Sequence, residues 1–407
     1  MRAFAIASCA LYFLGGLTSI VVGSVLPELL HFYRLSYTIG GQMIFIGALG
    51  FMTGVIMTSW LNRRMSAQLL LAAAALTMAG AQALLGLLPP FGLFEALLFL
   101  NSIGSAMIGI VVATQFINVF IGRQAVAMSY LEVSFGLGAF LMPFFAGLLI
   151  ASGLWRFVFV PTAMLGFILS VIWMRMKPAE AQPATNEGKA GDASRAEKIA
   201  VLSPRMKRIA LGLFALIIFA YGGLEGSLNN YTSSFFIHYL GAAAWLASAG
   251  VGTFWGAMVI GRALTGLVIR KITYGRYLLS NICAAILALV AFIVLKNVWA
   301  GFVFMVLLGL ALSGVYSITL VYANFTIPNN AHIVTPVISG LSGLGSAVFP
   351  ALTGLLIDRT GPGPTLWYIV LIACIYLLTL LSINRIRRGR LPHLHLFRHS
   401  RETLSEK

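Results

Sequence analysis

Twelve apolar stretches, each long enough to cross a lipid bilayer, divide this chain, and little polar sequence lies between them. A spanning helix needs about 20 residues. The stretches run over 4–30, 38–60, 67–88, 91–118, 126–150, 155–176, 208–237, 245–269, 276–295, 298–325, 333–357 and 364–384. Composition excludes a soluble fold, because charged residues make up 9% of the chain against about 25% in soluble proteins. So few charges cannot cover the water-facing surface of 407 residues. The expectation is an all-α membrane protein of twelve transmembrane helices. The first stretch starts almost at Met1, runs longer than a signal-peptide core and has no small-residue cleavage site. It is expected to be retained.

The chain carries 27 Lys+Arg against 11 Asp+Glu, a net +16. In a soluble protein this excess would suggest nucleic acid. Here the basic residues sit in short loops and the tail, so the excess reports topology and no nucleic-acid partner is expected. If the N-terminus is cytoplasmic, the inner side holds 22 of them: Arg2, Arg63, Arg64, Arg123, eight from Arg175 to Arg208, Arg270, Lys271, Arg276, and seven from Arg385 onward. The outer loops keep Arg34, Arg156, Lys296 and Arg359. Both termini are therefore expected in the cytoplasm and the chain in the inner membrane, with anionic lipids drawn to the basic loops and tail.

Cys9, Cys283 and Cys374 are far apart in apolar runs, with no CxxC spacing, and read as buried inert thiols. His31, His238 and His332 are isolated, so neither metal nor other cofactor is expected.

Residues 177–207 are polar, mixed in charge and rich in Ala, Pro and Gly, as a solvated linker would be. They separate a six-helix bundle at 1–176 from a second at 208–384, followed by a basic cytoplasmic tail at 385–407. The two bundles repeat each other. At an offset of 207, Gly15-Gly16-Leu17 meets Gly222-Gly223-Leu224, Gly54 meets Gly261, and Arg63-Arg64 meets Arg270-Lys271. In the same register Gly136-Leu137-Gly138, Pro143 and Gly147 meet Gly343-Leu344-Gly345, Pro350 and Gly354. Each half begins on the same side of the membrane, so the repeat is parallel. Gly47, Gly50 and Gly54, and Gly252, Gly256, Gly261 and Gly266, would let backbones approach and slide.

The segment Gly256 to Gly266, continuing through Arg270-Lys271 to Gly275-Arg276, resembles the loop motif between helices eight and nine of major facilitator superfamily transporters. The equivalent between helices two and three is degenerate: Gly54, then Asn62-Arg63-Arg64, without the usual acid. The resemblance covers the whole chain apart from linker and tail and implies the two-bundle fold of that superfamily. Within it, Leu131-Glu132-Val133 with Phe135 to Ala139, Tyr221 to Glu225 with Asn230, and Phe254-Trp255 with Gly261-Arg262 are similar to bacterial glucose/mannose–proton symporters and, more distantly, fucose permeases. The chain departs from those patterns at Gly109, Gly47 and Gly23, where the relatives carry a glutamate, a glutamine and an aspartate.

Eleven acids are few enough to place one by one. Six lie in the linker or tail, and Glu28, Glu95 and Asp358 sit at outer helix ends, where solvation is cheap and a structural role is expected. Glu132, Glu225 and the cation Arg262 fall inside helices, where a charge costs about 2.5–3.5 kcal/mol on insertion scales and needs a partner, a cavity or a proton. Glu132 and Arg262 lie at matching depths on helices five and eight, which the resemblance places face to face. They are expected to form a cytoplasmic gate, paired across the halves when that side is closed and separated when it opens. Glu225 has no cation at its depth in the sequence, and with Tyr221, Asn229 and Asn230 it is the candidate for proton coupling or substrate binding.

Tyr12, Thr18, Asn101, Gln115, Asn118, Trp255, Tyr316, Tyr322, Asn324, Ser339 and Ser342 are the other polar or aromatic residues expected to line a central cavity. Rings with amide partners suit a neutral polar solute, since rings stack on C–H faces while amides bond hydroxyls. The expected function is secondary transport of a small-molecule substrate by a monomer, with proton-coupled uptake of a sugar-like solute first and efflux of amphipathic compounds as the alternative. The chain has no HExxH, GxSxG or GxxxxGK[ST], which argues against an enzyme and against ATP-driven transport.

Overall fold

The computed structural model describes residues 2–120, 124–177, 203–269, 271–327 and 330–388. The expected linker apart from its ends, the tail from residue 389, Arg123 and Arg270 lie outside the described residues. Among the described residues, twelve helical stretches are long and apolar enough to span a membrane. The helices are α1 (Arg2–Ser24), α2 (Leu26–Tyr33), α3 (Tyr37–Leu61), α4 (Ala67–Leu85), α5 (Phe91–Val119), α6 (Gln124–Ala151), α7 (Phe159–Arg175), α8 (Pro204–His238), α9 (Ala244–Val268), α10 (Tyr274–Leu295), α11 (Val298–Leu312), α12 (Val315–Thr326), α13 (Ala331–Thr360) and α14 (Pro362–Arg388).

Two expected helices are broken. The first splits between α1 and α2 at Val25, two residues before Pro27. Proline brings no N–H to the carbonyl four residues back, that of Gly23. The Ser233 hydroxyl of α8 donates to this carbonyl at 2.8 Å and so ties the first half to the second. The tenth splits between α11 and α12 at Ser313-Gly314. A Cβ on Gly314 would lie 2.3 Å from the Tyr277 hydroxyl and 2.6 Å from Thr265 Oγ1, so the turn leaves no room for a side chain.

The repeat reappears in the packing. Gly54 rests on Ile103 and Ala106, and Gly261 on Leu310 and Ser313. Gly16 lies against the carbonyl of Phe135, and Gly222 against that of Ser342. Gly138 and Gly345 approach the carbonyls of Phe13 and Phe219. The core is less symmetric. The first half has two clusters, one around Leu11, Phe116 and Trp173 and one around Val25, Phe94 and Phe159. The second half has one continuous cluster, which also takes in Ile20, Leu26, Leu30 and Ala139 from the first.

The halves close on each other at the end away from the termini. Gly41 packs on Ala351, Gly354 on the carbonyl of Tyr37, and Gly147 on that of Trp245. The Ser248 hydroxyl donates to the Pro143 carbonyl at 2.8 Å. The first N–H groups of α3 turn to the second half: Tyr37 N and Thr38 N donate to the Asp358 carboxylate at 3.0 and 2.6 Å, and the Thr38 hydroxyl joins them. A carboxylate at a helix N-terminus satisfies donors that have no partner within the helix. Asp358 is therefore more than a solvated helix end.

Candidate functional site

Midway along the bundle the halves part around a cavity of about 400 Å³. From α1 come Leu11, Tyr12, Gly15, Ser19 and Ile20; from α3 and α5, Phe51, Ser105, Ile108 and Gly109; from α6, Glu132 and Phe135. The second half supplies Glu225, Gly226, Asn229 and Asn230 of α8, Trp255 and Arg262 of α9, and Ser346 of α13. Its walls are mostly apolar, with the charged and amide groups gathered on α6, α8 and α9.

Those groups form one connected set. Arg262 Nη1 donates to Glu132 Oε2 at 3.1 Å, and its guanidinium also stands 5.7 Å from the centre of the Trp255 ring. Trp255 Nε1 donates to Asn229 Oδ1 at 2.8 Å, and its ring meets Phe135 edge-on at 6.0 Å across the halves. Asn229 is one helical turn above Glu225, and Tyr221 one turn below. Arg262 and Glu132 both lie within electrostatic reach of Glu225, and the Tyr221 hydroxyl within hydrogen-bonding reach. Asn230 Nδ2 donates to the Gly226 carbonyl of its own helix at 2.8 Å.

Glu225, for which the sequence offers no cation at its depth, shares this cavity with Arg262. Sequence depth counts along one helix, whereas an arginine side chain reaches several ångströms along its neighbour. The cavity thus holds two carboxyls and one guanidinium.

Tyr12, Glu132, Glu225, Asn229, Asn230, Trp255 and Arg262 are brought together at the cavity. The other expected residues are not among its lining. Thr18 is buried and returns its hydroxyl to the Leu14 and Gly15 carbonyls of its own helix. Asn101 belongs to a buried network in which Gln82 Nε2 donates to Asn101 Oδ1 and the Thr162 hydroxyl donates to Gln82 Oε1, each at 3.0 Å. Tyr221 is buried beneath the cavity, its hydroxyl 3.3 Å from the Leu312 carbonyl. Tyr316 bonds Ser339 at 2.9 Å, Tyr322 donates to Asn384 at 2.8 Å, and Asn324 donates to the Leu320 carbonyl at 3.0 Å and to Thr335 at 3.3 Å. The Ser342 carbonyl accepts from Ser346 at 3.0 Å. Gln115 is half-buried and Asn118 exposed, both away from the cavity.

Ser19, Ser105, Ser346 and the apolar wall were not legible in advance. The helices that carry them are apolar on every face, so no polar stripe marks the side turned to the cavity. Gly109 lines the cavity with its backbone. A Cβ there would meet nothing within 4 Å, and its carbonyl accepts the Tyr12 hydroxyl at 3.0 Å.

The contacts between halves described above lie on the side of the Glu132–Arg262 pair away from the termini. Toward the termini, α5 and α12 scarcely touch, and the Glu132 side chain is 53% exposed. The cavity is sealed from one end and faces the other. Two six-helix bundles related by a parallel repeat, with a central cavity closed at one end, are the architecture of one transporter group. The sequence profile of the Major Facilitator Superfamily matches residues 8–350. The chain belongs to that superfamily.

Its relatives include the glucose/mannose transporter GlcP of Bacillus subtilis (strain 168), 26% identical over 353 residues, covering 86% of this chain and 87% of that protein. Among solved structures, a bacterial homolog of the human lysosomal transporter Spinster, inward-facing and unoccupied, superposes with a TM-score of 0.73 at 16% identity, covering 94% of this chain and 97% of that one. A nucleoside transporter NupG variant superposes with 0.75 at 11% identity, covering 94% and 99%. FucP in its outward conformation gives 0.61 at 15% identity, again covering 94% and 99%. This superfamily member is a multi-pass membrane transporter of a small-molecule substrate.

Proposed function

We propose that the protein takes up a small neutral polar solute, a sugar first among them, in symport with protons, and that Glu225 carries the coupling proton. The observation that supports this reading most is the juxtaposition of Glu225 with Asn229, Asn230 and Trp255 in the cavity, beside the Glu132–Arg262 pair. Pockets for small molecules run from about 300 to 1,000 Å³, apolar with a few convergent polar groups, and this cavity fits that description. With Arg262 charged, the set is neutral only when one of the two carboxyls holds a proton. A neutral solute leaves that balance to the proton. The excess of Lys and Arg at the termini-bearing end supports a cytoplasmic assignment for that end, and with it an inward-facing cavity. The relative named for glucose and mannose supports a sugar as the first solute to test.

The apolar wall of Leu11, Ile20, Phe51, Ile108 and Phe135 supports a second reading, proton-driven export of amphipathic compounds. Counterflow of labelled glucose in proteoliposomes separates the two readings. Glucose counterflow and pH-driven accumulation support uptake; neither, together with drug resistance on overexpression, supports export. For Glu225→Gln the symport reading expects binding and counterflow to survive while uphill accumulation driven by a pH gradient is lost. Accumulation by the folded variant at the wild-type rate would end that assignment.

A further inference from the structure

The closed outer seam contains a carboxyl that the central cavity does not use. Glu28 lies in the first turn of α2, the short helix that Pro27 detaches from α1. Leu26 and Leu30, on either side of it, pack into the core of the second half, while Val25 and Leu29 pack into the first. The helix is therefore wedged between the two moving bodies. Glu28 Oε2 is buried and has no hydrogen-bond partner among the described residues. An ionised oxygen left so would lack both water and a donor, which is costly, whereas a protonated carboxyl is not.

We propose that Glu28 is a second proton-binding site of this transporter, outside the central cavity, which takes a proton from the outer solution as the seam closes and returns it as the seam opens. The step is a plain protonation: water outside supplies the proton, and the carboxylate becomes a carboxylic acid. The proposal takes the outward orientation of the seam from the reading above and is independent of the solute.

The surroundings favour the neutral form. The groups around the seam are Tyr37 on α3, Tyr231 and His238 on α8, and Asp358 on α13, with His31, one turn along α2 from Glu28 and so its neighbour on the helix surface, and Arg34 at the helix end both exposed. Tyr37 lies within electrostatic reach of both Glu28 and Asp358. Asp358 is held by the N-terminus of α3, so the seam already contains one fixed negative charge. The Tyr231 hydroxyl is a second buried polar atom without a partner among the described residues. Burial pushes the Glu28 carboxyl from the ordinary 4.5 up to about 7, against the pull of its own helix N–H. When the seam opens, that burial is lost and the ordinary value returns. Between pH 4.5 and about 7 the closed form therefore binds a proton that the open form does not, and lowering the pH favours closure. Above about 7 both forms are ionised and closure carries the full cost of burying the charge.

The test reads the outer ends directly. Spin labels at Leu87→Cys and Trp299→Cys, in a background with Cys9, Cys283 and Cys374 replaced by alanine, report the distance between the halves in nanodiscs from pH 5 to 9. The wild-type closed-to-open ratio should fall with rising pH, by up to about tenfold per unit between pH 5 and 7. Glu28→Gln, permanently neutral, should stay closed across the range. A Glu28→Gln protein that keeps the wild-type pH response, or a wild type with no response, overturns the proposal. Should Glu28→Gln not fold, Glu28→Met serves with the same two outcomes. No solute enters this measurement, so pH-independent closure in the variant with no proton-driven sugar uptake would sink the symport reading alone, and the converse would sink the seam site alone.

Discussion

Gly23 shows how one residue's chemistry reaches across the molecule. Pro27 leaves the Gly23 carbonyl without its helical donor, and the Ser233 hydroxyl of the other half supplies one at 2.8 Å. Gly23 also has to be glycine here, because a Cβ would lie 2.7 Å from the Asn229 carbonyl. Removing the hydroxyl with Ser233→Ala leaves a buried acceptor unpaired in the closed form only, at a cost of about 1–3 kcal/mol. The outer seam should then open more often, by about 5- to 150-fold in the closed-to-open ratio, as read from the outer-end label distances. An unchanged distance distribution would show that water replaces the serine without loss.

Helix crossings turn on which glycines meet backbone. Gly345 and Gly343 are two residues apart on α13 and look alike in sequence, yet a Cβ on Gly345 would lie 2.1 Å from the Phe219 carbonyl while one on Gly343 meets nothing within 4 Å. Gly345→Ala must push α8 and α13 apart and should lower stability by about 1–3 kcal/mol. Gly343→Ala, relieved of glycine's conformational freedom in a helix, should be neutral or stabilising by up to about 1 kcal/mol. Thermal midpoints in detergent decide it; equal midpoints for the two variants would contradict the crossing described. The same contrast separates Gly16, tight against the Phe135 carbonyl, from Gly109, which faces open cavity.

For the whole molecule, the Glu132–Arg262 pair is the innermost of the ties described between the halves. It restrains α6 and α9 just where the cavity gives onto the end that bears the termini. Glu132→Gln and Arg262→Gln should each let the cytoplasmic ends separate further, and exchanging the two residues should restore part of the wild-type distance. Spin labels on the cytoplasmic ends measure this, and equal distances in all four proteins would remove the pair from gating. Arg262 also lies within reach of Glu225, so its loss should in addition change the pH dependence of transport, while loss of Glu132 should change it less.

Much of this was legible in the residues. Twelve spans and the repeat follow from hydrophobic length and a glycine register, because a bilayer admits few backbones other than helices and close crossings admit few residues other than glycine, while the superfamily was legible as a resemblance carried by the segment from Gly256 to Arg276. The pairing of Glu132 with Arg262 was legible too, since a charge inside a helix must find its partner at the same depth, but the pair was expected to part when the termini-bearing end opens and it stands formed beside a cavity that faces that end. Tertiary structure alone decided the rest. Helices apolar on all sides do not show which face turns inward, so Thr18 and Asn101 read as cavity residues and are packing residues, and Ser19 and Ser346 went unmarked. Glu225's nearness to Arg262 depends on how α8 and α9 lie against each other. Glu28 and Asp358 look alike as acids at outer helix ends, and only tertiary packing buries an oxygen of the one and brings the other to a helix N-terminus of the opposite half.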